Sequence, residues 1–214
     1  METYSKFPLA ETSFCIAAIP ASPLFEQVAM ASLYITDQWE NTNIIDNVVF
    51  PAHISFILSG SNSNGIDAIS KEIPQILAKY SKIVFTAQRL YKSGFGFIGI
   101  DCAGVDLVNL SRDIISACSD IQSLERVIRP HLEERWNSLS DVQKQNVLKY
   151  GTYKIDSLDF HISIAQVNKR FGTDAFNAAM EELELPIEQE IASLQLVDVG
   201  HYNEQWNVIE EWKL

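Results

Sequence analysis

The chain has 214 residues, 47% of them hydrophobic, with 28 acidic side chains against 16 basic ones and a formal net charge of −12. That is enough chain for a full core in one domain or in two closely packed lobes, and the acidic balance argues against a long nucleic-acid duplex as partner, because such binding neutralises many phosphates. The longest apolar stretch near the N-terminus, Phe14 to Ile19, has no basic segment before it, so neither a signal peptide nor a spanning helix is expected, and the expected location is cytoplasmic, with no membrane partner.

In chain order, Ser13 to Ile19 reads as a strand, and Pro23 to Trp39 as a helix with Pro23 in its first turn and Val28, Leu33 and Ile35 among its apolar positions. A second strand runs through Ala52-His53-Ile54-Ser55-Phe56 to Gly60, and Ser61-Asn62-Ser63-Asn64-Gly65 reads as a turn. A helix over 66–80 follows, with Pro74 predicting a kink or a division into two. Ile83 to Tyr91 and Phe95 to Asp101 form a hairpin around Lys92-Ser93-Gly94, and a helix spans Val105 to Cys118. Leu124, Val127, Ile128, Leu132 and Trp136 keep helical spacing, interrupted by Pro130. Phe160 opens a second His-containing strand, followed by a helix over Asp174 to Leu183, a strand over Ile191 to Val199 and a closing strand over Gln205 to Trp212. This alternation is α+β, with outer helices on antiparallel-rich sheet.

Two short segments repeat one pattern, His53-Ile54-Ser55-Phe56 and His161-Ile162-Ser163-Ile164. Residues two apart in a strand share a face, so Ile54 and Phe56 enter a core while His53 and Ser55 emerge together on the other side, as do His161 and Ser163. The spacing repeats as well: 30 residues separate His53 from Ile83, and 30 separate His161 from Ile191, each isoleucine opening a β-like run. The chain therefore reads as a degenerate duplication. One half carries an excess. From Phe14 to His53 is 39 residues, but from Phe95 to His161 is 66, so some 27 residues are extra. They fall around 121–151, a helical insertion that could cover a site. In an acidic protein, residues 121–154 hold Arg126, Arg129, Arg135, Lys144, Lys149 and Lys154 against four acids, a local balance compatible with a small anionic ligand, although most such side chains form a solvated helix face.

A pair of His-x-Ser strands, each followed by a helix and further strands, resembles the 2H phosphoesterase superfamily, which includes cyclic nucleotide phosphodiesterases and 2'-5' RNA ligase-like proteins. The resemblance covers about Ser13 to Trp212 and rests on the two tetrads; many members have Thr where this chain has Ser55 and Ser163, and serine keeps the hydroxyl while losing the methyl that stiffens the rotamer. It implies one bilobal domain over 1–214, two pseudo-symmetric lobes whose His-x-Ser strands face a central cleft. It further implies a phosphodiesterase in which His53 and His161 act as general acid and base while Ser55 and Ser163 bind the phosphate, with no cofactor and no metal. Which imidazole is acid and which base is open, with a lean to His161 as base. The partner implied is a small nucleotide or RNA-end phosphodiester: a 2',3'-cyclic phosphate, an ADP-ribose 1'',2''-cyclic phosphate, a 2'-5' linkage or a cyclic oligonucleotide. The oligomeric state is open.

Tyr91, Phe95, Phe97, Tyr153, Tyr202 and Trp206 are candidates for stacking a base, although core packing is the commoner role for any one aromatic. His131 and His201 lack a Ser two residues on and read as surface positions. The four histidines show no metal-ligand spacing, and Cys15, Cys102 and Cys118 read as reduced packing residues. The competing function is a non-catalytic nucleotide-binding or sensing module; intact histidines in both halves favour an enzyme.

Overall fold

The computed structural model describes residues 9–41, 44–46, 50–125, 127–153, 159–200 and 205–214. Strand β1 (Thr12–Pro20) is buried almost throughout, and helix α1 (Leu24–Gln38) follows it, packing Leu24, Val28, Ala31 and Ile35 inward. Strand β2 (Ile54–Ser61) carries the first motif and leads to α2 (Ser63–Leu77). This helix begins inside the stretch that reads as a turn, because the Asn62 side chain accepts from the Gly65 amide at 3.2 Å and caps it. Pro74 lies in its last turn, so the helix stays whole.

Strands β3 (Val84–Lys92) and β4 (Phe97–Ala103) form the expected hairpin. Helix α3 (Val105–Glu125) runs past the expected end at Cys118, continuing the spacing of Leu107, Leu110, Ile114 and Cys118 to Ile121. Residues 127–151 hold α4 (Pro130–Arg135), a short 3-10 turn and α5 (Asp141–Tyr150), the last capped by reciprocal Ser140 and Gln143 bonds and closed by Gly151 in the left-handed region. Ile128, Leu132, Leu139 and Val147 form a small apolar cluster of their own. Then come β5 (Phe160–Gln166), α6 (Gly172–Glu182), β6 (Ile187–Asp198) and β7 (Asn207–Lys213). Strand β6 begins four residues before its predicted start: Ile187 to Glu190 is mostly polar, and its pairing with Val84 to Ala87 makes it strand.

The α+β class with outer helices holds, and the strands of the two expected lobes join in one seven-stranded sheet, in the order β1-β2-β5-β4-β3-β6-β7. All its pairings are antiparallel, and an additional β1–β6 pairing closes the first six strands into a barrel-like circuit. Phe14, Ile16, Ile54, Phe56, Ile98, Ile100 and Ile162 share one buried cluster with residues of α1, α2, α3 and α6. The opposite face of the sheet carries the polar positions. Among the described residues no helix is long and apolar enough to cross a membrane.

The β3–β4 turn holds a glycine no other residue can replace. Gly96 has φ +86°, and a Cβ there would lie 2.1 Å from the Val167 carbonyl oxygen, while the Gly96 carbonyl accepts from the Val167 amide at 3.1 Å. Gly96→Ala must strain the backbone and push β5's end away, and is expected to cost about 2 to 4 kcal/mol. Urea denaturation checks this; an unchanged midpoint would contradict the close approach.

Candidate active site

Strands β2 and β5 meet at a single residue pair, Ile54 opposite Ile162. Both isoleucines are fully buried under the helices, so their neighbours in sequence turn to the other face. That pair brings the two motifs together on adjacent antiparallel strands, His53 and Ser55 flanking one isoleucine and His161 and Ser163 the other. Phe160, Ile162 and Ile164 are buried while His161 is exposed and Ser163 half-buried; Ser55 is exposed between buried Ile54 and Phe56. His53 sits one residue before β2.

The two imidazoles are held alike. His53 Nδ1 lies 2.9 Å from the Pro51 carbonyl oxygen, and His161 Nδ1 lies 3.1 Å from that of Asp159, in each case the residue two before. A carbonyl only accepts, so Nδ1 carries the proton and Nε2 of each neutral ring keeps its lone pair. Burial drives the His53 pKa from 6.5 down to about 4, opposed by the Pro51 bond and reinforced by the positive charge of His161. The two histidines therefore lie within electrostatic reach of each other, and His53 is neutral at pH 7.

Each imidazole has aromatic walls. Trp206 packs on His53 with ring centroids 4.3 Å apart, and is itself held by its indole N–H donating to Gln195 Oε1 at 3.0 Å. Tyr91 and Phe97 stand edge-on to His161 at 6.5 and 5.8 Å. Burial and the nearby Asp101, Cys102 and Asp159 push the Tyr91 phenol up to about 12, so it stays protonated. Asp101 lies directly across from His161 on β4 and accepts from Arg89 Nε at 2.7 Å. On the other side, the Cys15 thiol donates to Ser55 Oγ at 3.5 Å. Its pKa is pushed up to about 11 by burial, against the Ser55 bond and the charge of Arg129. All three cysteines are free and buried.

Of the stacking candidates, Tyr91, Phe97 and Trp206 line the histidines. Phe95 does not: it is 85% exposed at the hairpin tip. Tyr153 packs with Trp136 against the cluster of Ile128, Leu132, Leu139 and Val147. Tyr202, His201, Arg126 and Lys154 lie outside the described residues, as does the side chain of His131. Arg129 is buried against Gly60, whose absent Cβ leaves it room, whereas Arg135 and Lys149 are exposed. Nothing in the sequence singles out Asp101, Arg89 or Gln195, and Cys15 reads there only as a packing residue; strand order gives them their neighbours. Among the described residues no three His, Cys, Asp or Glu side chains gather to hold a metal ion.

No family model and no curated protein matches this chain. Two solved structures are similar along nearly its whole length. One, a crystal structure of a phosphoesterase, has a TM-score of 0.49 at 9% identity, covering 95% of this chain and 98% of its own. The other, Usb1 of Kluyveromyces marxianus, has a TM-score of 0.48 at 11% identity, covering 97% of this chain and 100% of its own.

Proposed function

We propose that this chain is a metal-independent phosphodiesterase of the 2H phosphoesterase superfamily, acting on a cyclic or 2'-5'-linked nucleotide phosphodiester. The observation that carries this reading is the pair of imidazoles on neighbouring strands, each anchored through Nδ1 to the carbonyl two residues back, each with Nε2 left for chemistry and a serine beside it. A duplicated origin is supported by strand order: exchanging β1, β2 and β3 with β4, β5 and β6 returns the same closed circuit. The domain is then a single unit over 1–214 with an insertion at 121–151.

In this mechanism His53 Nε2 takes a proton from the attacking water or ribose hydroxyl as the new P–O bond forms. His161, as imidazolium, gives its Nε2 proton to the leaving oxygen as the old bond breaks. Solvent then restores both. Ser55 and Ser163 donate to the non-bridging oxygens, whose charge rises in the transition state. The neutrality of His53 reverses the lean of the sequence: the half-buried, desolvated ring suits the base and the exposed one the acid. A bound phosphate, being anionic, raises the proton affinity of His53 and makes it a stronger base than in the empty site.

The substrate is identified by incubating the protein with a 2',3'-cyclic nucleotide, an ADP-ribose 1'',2''-cyclic phosphate, a 2'-5' dinucleotide and a cyclic dinucleotide, following products by phosphorus NMR. At least one is expected to give a phosphomonoester. Tight binding with no turnover of any would leave a nucleotide-sensing module in place of an enzyme.

A further inference from the structure

A pocket of about 370 Å³ adjoins His53, within the range of small-molecule sites. Two of its lining residues also touch the histidine: Pro51, whose carbonyl accepts from His53 Nδ1, and Trp206, whose ring packs on it. Phe25, Ile19, Pro20 and Val208 supply further apolar wall. Its polar side is a single network on β6 and β7. Glu211 Oε1 accepts from Ser193 Oγ at 2.7 Å, Gln195 Nε2 at 3.2 Å and Lys213 Nζ at 2.7 Å. Glu211 Oε2 takes none of these bonds, and Lys213, with two further N–H donors, is largely exposed.

We propose that this pocket is the base-recognition subsite for the nucleotide flanking the scissile phosphate, and that it selects guanine. The inference rests on the phosphodiesterase reading of His53 and His161. Trp206 and Phe25 give the pocket aromatic wall for a flat ring, and the polar atoms decide which ring. The Lys213, Ser193 and Gln195 bonds hold Glu211 below the ordinary carboxylate range, so it presents an acceptor that cannot donate. Guanine offers two adjacent N–H donors, N1–H and the 2-amino group, to Glu211 Oε2, and its O6 beside them accepts from Lys213. Uracil sets two carbonyls around its one N–H, and adenine and cytosine set a ring acceptor beside their amino group, so each turns a lone pair toward the carboxylate.

Calorimetric titration of the whole protein with guanosine, adenosine, cytidine and uridine 3'-monophosphates tests this without requiring turnover. Guanosine monophosphate is expected to bind about tenfold more tightly than the other three. Glu211→Gln should remove most of that advantage, because the amide offers a donor in place of the second acceptor. Lys213→Ala, at an exposed position that cannot disturb folding, should reduce it too. Equal affinities for the four nucleotides, or a guanine preference unchanged in both variants, would overturn the subsite. Cleavage of a phosphodiester with no base preference overturns the subsite alone; guanine preference with no cleavage of any diester overturns the phosphodiesterase alone.

Discussion

His53→Ala and His161→Ala are each expected to lower kcat by about 10² to 10⁴, the range of a positioned general acid or base. Neither ring supports the core. His161 is exposed, and His53 makes its ring contact with Trp206 on the face away from the buried Ile54. Circular dichroism should therefore be unchanged, and the loss should lie in kcat more than in KM, since proton transfer is made only in the transition state. The double variant is expected to lose little more than the worse single one, because the two protons move in one displacement. Full turnover by either folded variant would contradict the mechanism.

The second large effect is on pH. The kcat/KM profile reports the pKa of the base in the free protein, and burial holds His53 at about 4 in place of 6.5. Protonated His53 cannot accept, so activity falls as pH falls, but the fall is centred near pH 4. At pH 5 the protein keeps most of its kcat/KM, where a base with an ordinary imidazole pKa would lose about thirtyfold. Trp206→Ala uncovers the ring and should move the limb upward. Linkage carries the same sign: between pH 6.5 and 4 the unfolded chain binds a proton that the folded His53 refuses, so stability declines as pH drops through that window. A limb near 6.5 in the unaltered protein would contradict a desolvated His53 as the base.

The motif strands were legible because their alternation is clean: buried Ile54, Phe56, Ile162 and Ile164 set a period of two, and His53, Ser55, His161 and Ser163 fall between them. The helices were legible for the same reason at the other period. What stayed hidden depends on pairing. Ile187 to Glu190 has no apolar face of its own and becomes strand through β3. The closure of six strands rests on β1 meeting β6, some 180 residues apart, and joins the two expected lobes in one sheet. At the site, nothing in the order of residues says that Trp206 covers His53 or that Asp101 lies opposite His161. Tyr153 shows the converse: next to the motif in sequence, it packs against a separate cluster. The asymmetry between the histidines, one half-buried and one exposed, arises from those later neighbours, which is why acid and base could not be told apart beforehand.

The most direct test is phosphorus NMR on the dialysed protein in excess EDTA, with a 2',3'-cyclic nucleotide and with the other phosphodiesters in turn, run beside His53→Ala and His161→Ala. The account predicts conversion of at least one diester to a monoester by the unaltered protein at a rate EDTA does not change, and near-complete loss of that conversion in both variants. Turnover abolished by EDTA, or retained in full without either histidine, would contradict it.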